Sequence, residues 1–138
     1  MRICAYIITN KGKAMQDLIK ATKALSDETR LRILNILLER ECCVCEVMQA
    51  LDISQSRASR NLGFLQDAGF LKARRDGVWI VYSVNWQTAN RYAASLAKLV
   101  RNSSVGEEIL ARDRERLKHT KRIGPAALRK SEDRPRKE

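Results

Sequence analysis

Between Cys43 and Val84 the apolar residues change period once, and that change limits the possible folds more than any other feature of the chain. A short helical run from about Cys43 to Leu51 is broken by Asp52-Ile53-Ser54. Ser54 is placed to cap a further helix that reaches Ala68, where Gly69 supplies a C-terminal stop. The pattern then turns to strands. Leu71 to Arg75 and Val78 to Val84 flank Asp76-Gly77, a two-residue turn of the kind that closes a hairpin, and Trp79-Ile80-Val81-Tyr82 carries β-favouring side chains. Two short helices joined by a three-residue turn, with a hairpin directly after the second, is the order of a winged helix-turn-helix. The expected class is mainly α with a β-hairpin wing.

The flanks fit around this unit. Ala14 to Leu25 reads as an amphipathic helix with Met15, Leu18 and Ile19 at helical spacing. Ser26 is the expected N-cap of a helix from Asp27 to Leu38, with Asp27 and Glu28 favoured in its first turn by the helix dipole. Its apolar residues, Leu31, Ile33, Leu34, Ile36, Leu37 and Leu38, cannot share one stripe, so it belongs at the centre of a small fold. Helical spacing returns from Trp86 to about Arg101. At 138 residues one domain is expected: an N-terminal arm at 1–13, the folded unit at 14–102, and a charged extension at 103–138. In the extension, Gly106 to His119 reads as a solvent-facing helix, and disorder is expected after Gly124-Pro125. No window approaches the roughly 18 apolar residues that cross a bilayer, so a cytoplasmic protein with no membrane partner is expected.

Charge then points to a partner. The chain carries 27 Lys and Arg against 16 Asp and Glu, a net +11, and most of the excess lies in the first 102 residues rather than in the tail. Such a balance favours a polyanion, and double-stranded DNA is the first candidate. If Ala58 centres the inner face of the helix after Ser54, Leu62 and Leu65 fall beside it, while Ser56, Ser59, Arg60 and Gly63 point outward. Small residues let a helix sit deep in the major groove, hydroxyls reach phosphates or base edges, and Arg pairs with guanine. The candidate reading residues are Gln55, Ser56, Arg57, Ser59 and Arg60, with Lys72, Arg74 and Arg75 of the hairpin on phosphates.

Three of the four cysteines, Cys42, Cys43 and Cys45, fall within four residues. They are badly placed for a disulfide framework, which leaves metal or redox chemistry, or three buried small hydrophobes. Thiolates select soft ions such as As(III), Sb(III), Cd(II) or Pb(II) over Mg(II) or Mn(II). On a helix Cys42 and Cys45 share a face, whereas Cys43 and Cys45 stand about 200° apart, so an ion held by both must distort the helix start. Glu41 and Glu46 alongside would raise thiol pKa values, which counts against a thiol-redox-responsive regulator. Enzymatic function is not expected: the only histidine, His119, lies in the tail, and no Cys-x-x-Cys sits at a strand-to-helix junction.

Leu25-Ser26-Asp27-Glu28-Thr29-Arg30-Leu31-Arg32-Ile33-Leu34, Cys43-Val44-Cys45-Glu46-Val47, Ser54 through Leu62 and Asp76 through Tyr82 together resemble the ArsR/SmtB family of metal-responsive repressors. The resemblance implies a homodimer joined through the first helix and the helix after the wing. It also implies a repressor that binds its operator when metal-free and leaves it when a metal or metalloid ion binds. Cys43-Val44-Cys45 is similar to the arsenic-responsive branch, whose third cysteine, three residues on, is replaced here by Met48. The alternatives are Cys42 as substitute, a site of two thiolates, or Met48 as a weak thioether bystander; Cys42 is favoured, giving Cys42, Cys43 and Cys45 as ligands of As(III) or Sb(III) as inducer. A branch sensing Cd(II) and Pb(II) adds cysteines from an N-terminal arm, for which Cys4 is the candidate. The His and Asp ligands of the family's zinc sensors have no counterpart between Trp86 and Arg101.

Overall fold

The structure, a computed structural model, describes residues 2–103 and 107–124, those up to Lys11 as backbone alone. Six helices and three strands follow in the order α1 (Arg2–Leu25), α2 (Glu28–Glu39), β1 (Cys42–Cys43), α3 (Val44–Leu51), α4 (Gln55–Asp67), β2 (Leu71–Asp76), β3 (Trp79–Val84), α5 (Arg91–Asn102) and α6 (Glu107–Leu117). The strands form one antiparallel sheet ordered β1-β3-β2. This is a winged helix-turn-helix.

The central position expected for α2 is borne out: Ile33, Leu34 and Ile36 are fully buried among Ala21 and Ala24 of α1 and Leu62 and Leu65 of α4. Its N-cap is Asp27 rather than Ser26, because the Asp27 carboxylate accepts the Arg30 amide at 3.0 Å while the Ser26 hydroxyl turns back to the Lys23 carbonyl. Arg30 then performs a second local task. Its guanidinium donates to the Lys23 and Ala24 carbonyls, which α1 leaves unsatisfied at its end, donates to Asn61 Oδ1, and stacks on Phe64 of α4. The segment after α1 thus sets where α4 sits. Helix α1 itself begins at Arg2, so it runs back through the segment expected to be a separate arm.

Ser54 caps α4 as expected, accepting the Arg57 amide at 3.2 Å. Gly69 ends the following turn at φ +92°, and a Cβ there would lie 2.6 Å from Thr88 Oγ1, so both conformation and space require glycine. The hairpin closes one residue later than the spacing predicts. Asp76 pairs with Trp79, the turn is Gly77-Val78, and Gly77 takes φ +60° while Val78 stays negative, the arrangement of a type II′ turn. Helix α5 starts at Arg91 rather than Trp86, because Asn90 caps it through the Tyr92 amide and its side-chain amide donates to the Asp17 and Ala68 carbonyls.

Two further expectations are overturned. Cys42 and Cys43 form a short strand paired with Tyr82 and Val81, so the helical spacing assumed for the cysteines does not apply. Helix α6 is not solvent-facing: Leu110, Asp113 and Leu117 are buried against α2 and α3. Asp113, wholly buried, holds Arg32 of α2 by two bonds of 2.7 and 2.8 Å, and Arg114 donates to Asn35. Few apolar positions sufficed because one carboxylate and two guanidiniums do the remaining work. The disorder expected after Gly124 falls on residues 125–138, outside the described residues.

Candidate functional site

Helix α4 presents the face its spacing predicts. Ala58, Leu62 and Leu65 are buried, while Ser56, Arg57, Ser59 and Arg60 are exposed and Gln55 is half-exposed. The arginines differ in freedom. Arg60 has no protein partner among the described residues, whereas the Arg57 guanidinium donates to Thr29 Oγ1 at 2.7 Å and so helps hold α4 on α2. On the wing, Lys72 and Arg75 are exposed and unpartnered among the described residues. Arg74 pairs with Glu41 and lies 3.9 Å from Asp76, which cancels much of its charge toward an anion.

The sheet separates the cysteines. Alternation along β1 sends Cys42 into the main core, where its thiol donates to the Arg40 carbonyl, and sends Cys43 to the other side. Cys43, as N-cap of α3, and Cys45, in its first turn, form a small cluster with Met48, Trp79 and Ile123. Their side chains pack in this one cluster, apart from Cys42. The expected set of Cys42, Cys43 and Cys45 is therefore not assembled: two thiols converge and the third faces away. Because Cys43 stands outside α3 as its N-cap, the helical spacing from which a distortion of α3 was expected does not describe this pair. The side chain of Cys4 lies outside the described residues.

Burial pushes the Cys43 thiol well above its ordinary pKa, and the Cys45 thiol adds to the effect. Burial likewise pushes Cys42 up to about 12. Glu46 was expected to raise the thiols by its charge, and in the structure that charge is heavily compensated. Although burial alone disfavours its ionised form, the Arg40 guanidinium at 2.6 Å and the Cys43 amide at 3.1 Å hold its carboxyl below the usual range. Arg122 approaches the other side at 3.3 Å.

Cys43 and Cys45, themselves almost wholly buried, border a concave pocket of about 490 Å³ together with Gln55 and Ser59 of α4, Trp79 of the wing and Ile123. Soft donors and an apolar wall suit a thiophilic ion. The nearest carboxylate, Glu46, is already engaged by Arg40, Arg122 and the Cys43 amide, so a hard ion finds no free oxygen cluster. Among the described residues no group of three or more His, Cys, Asp and Glu is placed to hold a metal. Sequence reasoning missed Arg40, Arg122 and Ile123. Glu46 was visible as a carboxylate three residues after a helix-starting Cys43, the spacing of a capping box. Nothing local marks Arg122 or Ile123.

A family model described as "Bacterial regulatory protein, arsR family" matches residues 27–73. The "Arsenic resistance transcriptional regulator ArsR1" of Pseudomonas putida is 40% identical over 96 residues, covering 69% of this chain and 73% of that protein. A "Cadmium resistance transcriptional regulatory protein CadC homolog" of Staphylococcus aureus is 41% identical over 70 residues, and there the chain spans only 58% of the relative. Among solved structures, the homodimeric winged helix-turn-helix DNA-binding domain of Mb0332 from Mycobacterium bovis superposes with a TM-score of 0.58 at 30% identity, over 66% of this chain and 81% of that one.

Proposed function

The chain belongs to the arsR family of bacterial regulatory proteins, DNA-binding transcriptional regulators rather than enzymes, and from that premise we propose a homodimeric repressor that As(III) or Sb(III) releases from operator DNA by binding Cys43 and Cys45. The observation that carries this reading is the shared pocket. The thiols, the first turns of the reading helix and the wing line one space, so a ligand drawn between the thiols presses on both elements that face DNA. Such a ligand lowers DNA affinity to the extent that it binds better when α4 or the wing is displaced. Gln55, Ser56, Ser59 and Arg60 read the major groove, Lys72 and Arg75 meet phosphates, and Arg57 and Arg74 mainly position α4 and the wing. The dimer forms through α1 and α5. Met15, Leu18 and Ile19 on one face of α1, with Leu99 of α5, are large apolar side chains left 41–65% exposed on the single chain.

The test is fluorescence anisotropy of labelled DNA from upstream of the protein's own gene, titrated with As(III), Sb(III), Cd(II) and Zn(II). Wild type and Cys42→Ser should release DNA on adding As(III) or Sb(III), whereas Cys43→Ser and Cys45→Ser should bind DNA normally and fail to release it. Normal release from both of the latter variants would place the inducer elsewhere.

A further inference from the structure

Residues 118–123, which follow α6, join the lining of the thiol pocket at Ile123 and are bonded to both α3 and the wing. On the α3 side, the Lys121 amide donates to Gln49 Oε1 at 3.0 Å and Gln49 Nε2 donates back to the Lys121 carbonyl at 2.6 Å. On the wing side, Trp79 Nε1 donates to the Ile123 carbonyl at 3.0 Å. Arg122 joins the two, reaching Glu46 of α3 and, at 2.9 Å, Asp76 at the wing tip. Between these ties the Ile123 amide donates to Cys45 Sγ at 3.3 Å. The near end is anchored by Arg40, whose guanidinium donates to the Leu117 carbonyl and Thr120 Oγ1. Cys43 and Cys45 are left only 2% and 1% exposed.

We propose that residues 118–123 are part of the thiol site: Ile123 and Arg122 hold the pocket shut over Cys43 and Cys45, and a ligand that reaches the two thiols lifts this strap and frees Asp76 at the wing tip from Arg122. The inducer's identity rests on the preceding reading, but the shielding does not. It makes ligand entry and wing position two readouts of one displacement, since the same arginine bridges α3 and the wing tip. It also gives Trp79 a task beyond filling the hairpin core, because its indole N–H is the strap's tie to the wing.

The test uses the full-length reduced protein in two arms. In the first, iodoacetamide labelling of each cysteine is followed by peptide mass spectrometry in wild type, Arg122→Ala, Gln49→Ala and Lys118→Ala. Arg122→Ala and Gln49→Ala, each removing two bonds of the strap, should label Cys43 and Cys45 at least about fivefold faster, the change that a single lost hydrogen bond makes to an opening equilibrium. Cys42 should be unaffected, and Lys118→Ala should behave as wild type, since among the described residues the Lys118 side chain bonds only to Glu115 of α6. Labelling within twofold of wild type in both strap variants would overturn the shielding. In the second arm, Trp86→Phe leaves Trp79 as the only tryptophan, and arsenite is added. Its emission should shift to the red as the indole loses Ile123 and meets water. Protection of both thiols with unchanged emission would overturn the lifting. If arsenite protects neither thiol, the inducer reading fails, and the labelling rates still decide the strap.

Discussion

The Cys43 thiol is protonated at neutral pH because burial raises its pKa, and this separates the candidate inducers by their pH dependence. Neutral arsenous acid condenses with protonated thiols and releases water, so no proton is gained or lost. As(III) affinity should therefore stay flat from about pH 6 to 8. Cd(II) must displace the Cys43 proton, so its affinity should rise at least about tenfold per pH unit over the same window. Competition titrations at three pH values would show the contrast, and a steep fall for As(III) as pH rises would mean the thiols are ionised before binding, since condensation would then take up protons. Among the basic residues, freedom rather than charge decides the effect of substitution. Arg60→Ala should weaken operator binding about tenfold or more at matched salt, as loss of a base contact does. Lys72→Ala and Arg75→Ala should each lower the slope of log affinity against log salt by about 1. Arg74→Ala should lower it much less, because Glu41 and Asp76 already face its guanidinium. Equal slopes for Arg74→Ala and Arg75→Ala would show that the Glu41 pair opens on DNA.

At the scale of the element, α6 is attached by one buried carboxylate. Asp113 is wholly buried against a mostly buried Arg32, so Asp113→Asn removes one member of a desolvated pair and leaves the guanidinium uncompensated. A loss of about 3 kcal/mol is expected by urea denaturation. Replacing both partners, as Asp113→Leu with Arg32→Met, should recover much of it, since apolar groups of similar volume pack there without a desolvation penalty. Helix α4 is held differently, by side-chain bonds to the first turn of α2: Arg30 to Asn61, and Arg57 to Thr29. The quoted run from Leu25 to Leu34 therefore specifies two things at once, the start of α2 and the seat of the reading helix.

At the scale of the whole molecule, the proposed dimer ties the exposed apolar faces of α1 and α5 to the outer face of α4, because a two-fold pair of such helices would match a pseudo-palindrome. Leu18→Glu, on the α1 face, should shift the protein to monomer in sedimentation at micromolar concentration. It should lower operator affinity by at least tenfold while leaving the helical circular dichroism in place. A dimer of wild-type stability would move the interface off α1. Much of this molecule was legible from its residues. The helix-turn-helix, the Ser54 cap, the wing and the outward face of α4 depend on periodicity and on residues a few positions apart, where sequence spacing and spatial neighbourhood coincide. The cysteine geometry was not legible, because two residues of strand pairing with Tyr82 and Val81, formed some 40 residues away, replace helical spacing with alternation and turn Cys42 from Cys43. Nor was the docking of α6, whose low apolar content hid a buried ion pair with Arg32, nor the closing of the thiol pocket by Arg122 and Ile123. Local pattern by itself determined the elements and the exposed side of α4. Only the tertiary structure decided which thiols meet and what covers them, since strand pairing and buried charge pairs join residues that no local period connects.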